Sequence, residues 1–207
     1  MSRLMLLSCL MLLGVGCAGT KAHTRAGESA LPLGYRGGEP LVVDGAFITG
    51  PTSSLIIDDN AMRGRFRDIP VSLAWTWQEL TGTVGPNTTK LELAEGDDTR
   101  VWGSFAGMPV DFILEGDWLY GRVGTCLYVL QRNEGGFKGR SNCGNPLEEY
   151  LQVAFPAPLL ERPLGEKAAL MTLMLANVAT MNSPTVGMAR FTRPRPVIDA
   201  PVKNRRY

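Results

Sequence analysis

Any chemistry in this chain would have to come from four cysteines, one histidine, a few adjacent acid pairs and four tryptophans. The histidine, His23, sits in a polar stretch near the N-terminus and reads as solvated. Ser-His and Cys-His arrangements and the usual general base therefore have no residue to use. The pairs Asp58/Asp59, Asp97/Asp98 and Glu148/Glu149 are adjacent in sequence. On a strand such neighbours point to opposite faces, most lie in turn-rich segments, and none has EF-hand spacing, so they read as solvated turn carboxylates. No glycine-rich loop leads into a helix, which leaves phosphate cradling unsupported. Trp75, Trp77, Trp102 and Trp118 could stack on a sugar, but their strand positions favour packing in a core or on a sheet surface. The expectation is a non-enzyme with no cofactor and no metal.

The N-terminus reads MSRLMLLSCLMLLGVGC. Arg3, the apolar run Leu4–Leu13 and the small residues ending at Gly16 have the layout of an export signal over residues 1–16. A cysteine directly after small residues resembles the lipobox of bacterial lipoproteins, although Gly14 stands where that motif usually carries Leu, Val or Ile. The resemblance implies that Cys17 is acylated and anchors the chain to a membrane. By analogy with sorting rules, Ala18 after the cysteine implies the outer membrane, on its periplasmic face or at the cell surface. The other reading is cleavage around Gly16–Cys17–Ala18 that releases a periplasmic protein. The run is about half the ~20 residues needed to cross a bilayer, which disfavours an uncleaved span.

Export leaves 191 residues, and only Cys126 and Cys143 as free thiols. Two cysteines in an oxidising compartment most simply pair. The bridge would close a loop of about 18 residues, stabilising the fold by roughly 3 kcal/mol in the chain-entropy model.

The elements appear when the glycines are aligned. Apolar–x–Gly recurs at Gly50, Gly64, Gly82, Gly103, Gly121 and Gly139, with spacings of 14, 18, 21, 18 and 18. Segments such as Val71–Trp77 and Val110–Leu114 alternate apolar and polar residues, which places Val71, Leu73, Trp75 and Trp77 on one face of a strand. Turn clusters fall between them. Two strands and two tight turns per unit predict a mainly β domain over residues 41–156. It would be an antiparallel meander of ten to twelve strands, with each glycine in the buried surface, allowing the sheet to curl into a barrel or half-barrel. A β-solenoid is the rival, disfavoured because Gln131–Gly136 and Glu95–Thr99 offer no inward apolar residue. Cys126 and Cys143 occupy nearly equivalent places in successive units, so their bridge would staple neighbouring hairpins.

Residues 17–40 read as the lipidated cysteine and a flexible tether. Residues 157–187 hold a Pro-rich connection and an apolar, methionine-rich helix from Leu164 to Val178, with Leu164, Ala168, Met171, Leu175 and Val178 at helical spacing. It would plug or cover the sheet, or form a methionine-lined wall of a lipid cavity or a partner groove. Residues 188–207 form a basic, Pro-rich tail in which Arg190, Arg193, Arg195, Lys203, Arg205 and Arg206 face Asp199 alone, net +5, against −5 for residues 17–187. Such a tail should be extended, a docking element for an envelope protein or an anionic surface, with nucleic acid excluded by export. Two functions remain from different classes. One is a scaffold or accessory lipoprotein of an envelope assembly; the other is a carrier of a lipid or other apolar ligand, expected to show a large inward cavity.

Overall fold

The computed structural model describes residues 29–35, 38–144 and 149–182. The signal segment, Cys17, His23 and the basic tail lie outside the described residues. The alternating segments form fourteen strands: β1 (Leu31–Tyr35), β2 (Leu41–Asp44), β3 (Phe47–Thr49), β4 (Ser54–Ile57), β5 (Ala61–Phe66), β6 (Ile69–Trp75) and β7 (Glu79–Val84), then β8 (Asn87–Glu95), β9 (Thr99–Phe105), β10 (Met108–Glu115), β11 (Trp118–Val123), β12 (Cys126–Asn133), β13 (Gly136–Asn142) and β14 (Glu149–Ala154). Each pairs antiparallel with the next, and Gly34 and Tyr35 of β1 pair with Ala154 and Val153 of β14. The meander closes on itself through these two residue pairs.

The fold class is the one the repeat predicts, and the barrel is fully closed. Its strand count exceeds the expected ten to twelve. The six glycine units supply β3 to β14, two strands each, while β1 and β2 lie upstream of the first unit. Strand β1 falls inside the stretch read as tether. Its Leu-Pro-Leu-Gly-Tyr alternation is masked by Pro32, which points outward, while Leu33 is buried.

Period-two packing runs round the wall. In β6, Val71, Leu73 and Trp75 are buried and Pro70, Ser72 and Ala74 exposed; in β12, Cys126, Tyr128 and Leu130 are buried and Leu127, Val129 and Gln131 exposed. The unit glycines sit in one repeating register: Gly64 faces Leu55, Gly82 faces Leu73, Gly103 faces Leu91, Gly121 faces Phe112 and Gly139 faces Leu130 of the preceding strand. Gly121 has φ +143°, and a Cβ there would overlap the carbonyl oxygen of Asp111. Only glycine allows the bend. These glycines are exposed or half-exposed rather than sunk in the buried surface, because a bent strand without a side chain leaves its backbone bare to solvent.

After β14 comes α1 (Ala157–Leu160), then α2 (Leu164–Asn182). Every residue from Leu164 to Asn177 is buried, and α2 touches β1, β6 to β9 and β11. The helix is the plug of the barrel. A helix enclosed by wall must be apolar all round, which explains the absence of a polar face. Wall and helix form one core, in which Phe105, Phe112, Phe137 and Phe155 join Leu170, Met171, Met174 and Leu175.

Polar contacts fix the plug at its two ends and on its wall-facing side. Near its start, buried Arg162 pairs with Glu166 and donates to the Gly45 carbonyl, and Lys167 Nζ reaches Glu95 at 3.0 Å. Further along, Tyr128 donates to the Leu175 carbonyl, and Arg67, in the β5–β6 turn, donates to Asn177 Oδ1 at 2.9 Å. Cys126 and Cys143 are bonded, joining β12 to the residue after β13 and so linking two successive hairpins.

The outer wall carries Arg63, Arg65, Lys90, Glu92, Arg100, Asp111, Arg122 and Lys138 among its exposed or half-exposed positions. That differs from the apolar band, about 25 Å tall, of a barrel that faces lipid. Among the described residues, no helix is long and apolar enough to cross a membrane.

Candidate functional site: a cleft at the mouth of the barrel

The plug sets the two ends of the barrel apart. Helix α2 starts beside Glu95 and Trp75, at the end called here the mouth, and runs to Arg67 at the far end. Strand β1 also starts at the mouth, since Leu31 pairs with Val43 two residues before the Gly45–Ala46 turn. The chain therefore enters the wall at the mouth and leaves the plug at the far end.

The mouth holds a cleft of about 700 Å³. Three parts of the wall and the start of α2 line it: Asp59 and Asn60, Trp75 to Gln78, Leu93 to Glu95, and Pro163 to Gly165. Backbone bonds tie these turns into one frame, with the Trp75 N–H on the Asn60 carbonyl at 2.9 Å and the Leu93 N–H on the Gln78 carbonyl at 2.7 Å. Thr76 Oγ1 accepts the N–H groups of Gln78 and Glu79, each at 3.2 Å, which pins the loop that carries Trp77.

Two tryptophans play unequal parts. Trp75 is buried, and its ring lies so close over Gly165 that a Cβ there would collide with it. Trp77 is 76% exposed at the rim. The sequence reading put Trp77 on the inward face of the same strand. The strand ends at Trp75 instead, because Thr76 starts the turn. The other two tryptophans are elsewhere: Trp118 is exposed on the outer wall, and Trp102 lies under the Arg100 guanidinium at 5.3 Å, with Arg100 also paired to Asp111 at 3.1 Å. The four do not assemble into one platform.

The charge of the cleft is negative. Asp59 and Glu95 line it; Lys167 is paired with Glu95, and Arg162, next to the lining residue Pro163, is paired with Glu166. The surrounding hairpin turns add Asp58, Asp97, Asp98, Asp117 and Glu134, with Arg63 at 4.0 Å from Asp58, and the connection into α2 adds Glu161 and Arg162; the described far-end hairpin turns carry Glu39, Arg67 and Asp68. So Asp58/Asp59 and Asp97/Asp98 are turn carboxylates, and Asp59 alone of the four lines the cleft. Glu148 is outside the described residues, as are Arg190, Arg193, Arg195, Lys203, Arg205 and Arg206. Among the described residues no group of three His, Cys, Asp or Glu could hold a metal ion.

Chemically the cleft offers an exposed indole face, two carboxylates and the amides of Asn60 and Gln78. That set suits a cation or a donor-rich ligand and supplies no activated nucleophile. The Trp-Thr-Trp-Gln run was the signal in the sequence. Its partners Asn60, Glu95 and Gly165 come from remote segments that no local pattern connects. Compared with protein-family models, curated proteins and solved structures, the chain finds no match in any of the three.

Proposed function

We propose that this chain is a non-catalytic lipoprotein of the outer membrane, acylated at Cys17, that serves as a rigid scaffold or accessory part of a cell-envelope assembly of the secretion, pilus or motility type. Its basic tail is the docking element. One observation carries the choice of scaffold over carrier: the barrel is filled by its own helix. Met171 and Met174, which would have lined a lipid cavity, are each 1% exposed within the continuous core. A carrier needs internal room for most of its ligand's surface, and the cleft at the mouth is open to solvent with Asp59 and Glu95 in its lining. The anchor itself rests on the sequence around Cys17.

The test is a crosslinked pull-down of the full-length chain from native envelopes, beside a variant ending at Gly187 and a Cys17→Ser variant followed by fatty-acid labelling. The expected result is a stoichiometric protein partner lost with the tail, and label lost with Cys17. A chain that brings down no protein but carries lipid by native mass spectrometry would replace the scaffold with the carrier.

A further inference from the structure

We infer that the cleft at the mouth receives the Arg-Pro tail of a second copy of this chain, so that copies join head to tail. This rests on reading the tail as a docking element, and it names the surface on which the tail docks.

The chemistry of the two parts is complementary. The tail holds Arg193-Pro194-Arg195-Pro196, with Lys203, Arg205 and Arg206 behind it. Pro194 and Pro196 restrict the backbone of such a segment, so it has less entropy to lose on binding than an unrestricted chain. Segments of this kind dock on aromatic-lined grooves, with proline rings against the aromatic faces. The cleft presents Trp77 as such a face, with Asp59 and Glu95 beside it. A guanidinium can stack flat over the indole and pair bidentately with a carboxylate, geometries that an ammonium does not offer. The mouth concentrates the acidic turns of the described barrel and the tail carries net +5, so the approach is electrostatically steered.

Geometry selects a second copy over the chain's own cleft. Gly165 lines the cleft and α2 ends at Asn182, which puts the exit about 26 Å from the cleft along the helix. The eleven residues from Asn182 to Arg193 span at most about 37 Å. To return, they would have to pass outside a wall of fourteen strands, a ring of roughly 13 Å radius at ordinary spacing and tilt. They would then climb its height and turn into the mouth, a longer path than the segment can cover. Arg193 therefore falls short of its own cleft, which leaves the mouth of a second copy. A patch related to a different patch makes a heterologous contact, which propagates as a chain of copies unless it closes into a ring.

The experiment is sedimentation of the mature full-length chain carrying Cys17→Ser, beside the same chain with Trp77→Ala and the same chain with Arg193→Glu and Arg195→Glu. Trp77 is at the rim, so its loss leaves the core intact, which a circular dichroism melt checks. Self-association should rise with concentration and fall with salt. Each variant alone should associate at least about tenfold more weakly. Mixed, the Trp77→Ala chain (tail intact) and the Arg193→Glu/Arg195→Glu chain (cleft intact) should form a one-to-one complex. Undiminished association of the Trp77→Ala chain, failure of the two variants to pair, or a monomeric parent chain would each overturn the inference. So would a tail contact independent of concentration, which would put the tail on its own barrel. A monomeric parent chain whose tail still captures a different envelope protein would leave the scaffold reading standing while removing this one.

Discussion

The phenol of Tyr128, on the barrel wall, donates a 2.9 Å hydrogen bond to the backbone carbonyl of Leu175, in the middle of the enclosed helix. Both residues are buried. The bond joins wall to plug inside the core.

Burial raises the Tyr128 pKa, with a smaller contribution from Tyr35. In the unfolded chain the phenol ionises near the ordinary value of about 10, while in the folded chain it keeps its proton. The unfolded state thus binds fewer protons above that pH, and stability falls as pH rises through it; below it the contribution is fully present. Urea unfolding followed from about pH 8 to about pH 11 should show this loss. Tyr128→Phe should lower stability by about 1 kcal/mol at neutral pH and flatten the alkaline slope. An unchanged slope in that variant would assign the effect to other groups.

Wall curvature should fail at the unit glycines and not at the turn glycines. Gly121 has a φ that side chains avoid and a neighbouring carbonyl where its Cβ would go, whereas Gly116, with φ +51°, has open space. Gly121→Ala should cost more than about 3 kcal/mol, or prevent closure, and Gly116→Ala about 1 kcal/mol. Thermal melts of the two variants side by side decide it; equal losses would mean that the bend does not depend on glycine.

The buried ion pair at the start of the plug should behave asymmetrically. Arg162 and Glu166 have side chains 4% and 3% exposed. Glu166→Gln leaves a buried guanidinium without its counter-charge and should cost about 3–5 kcal/mol in denaturant unfolding. Replacing both residues together by Met and Leu should cost much less. A double variant worse than the single would show that the pair is net stabilising.

Thr172 is fully buried in the plug, and its Oγ1 has no protein hydrogen-bond partner. Thr172→Val keeps the shape and removes the buried hydroxyl, so stability should rise by about 1 kcal/mol. A loss on the same substitution would place a bound water at that oxygen.

The repeat is legible in residue order alone. Apolar–x–Gly at a period near eighteen, with alternation between, encodes paired strands that curl, because the glycine register and the two-residue pleat are local properties of the chain. The turn carboxylates were legible for the same reason, since turn chemistry is local. The bridge between Cys126 and Cys143 was legible because these are the two cysteines beyond the N-terminal segment, and their places in successive units agree with it. The basic tail and the lipobox-like cysteine were read directly from residue type.

Tertiary structure decided the rest. Closure depends on Gly34 and Tyr35 meeting Ala154 and Val153, a pairing between the two ends of the meander that no local pattern announces. The helix read from Leu164 to Val178 serves equally well as a plug or a cover, because an apolar surface does not say what encloses it; the closed wall makes it the core, and it runs on to Asn182. The cleft joins turns about twenty residues apart to the start of that helix. Trp77 faces solvent because β6 ends two residues earlier. Alternation sets which way a side chain points only while the strand lasts, and where a strand stops is settled by the neighbours it pairs with.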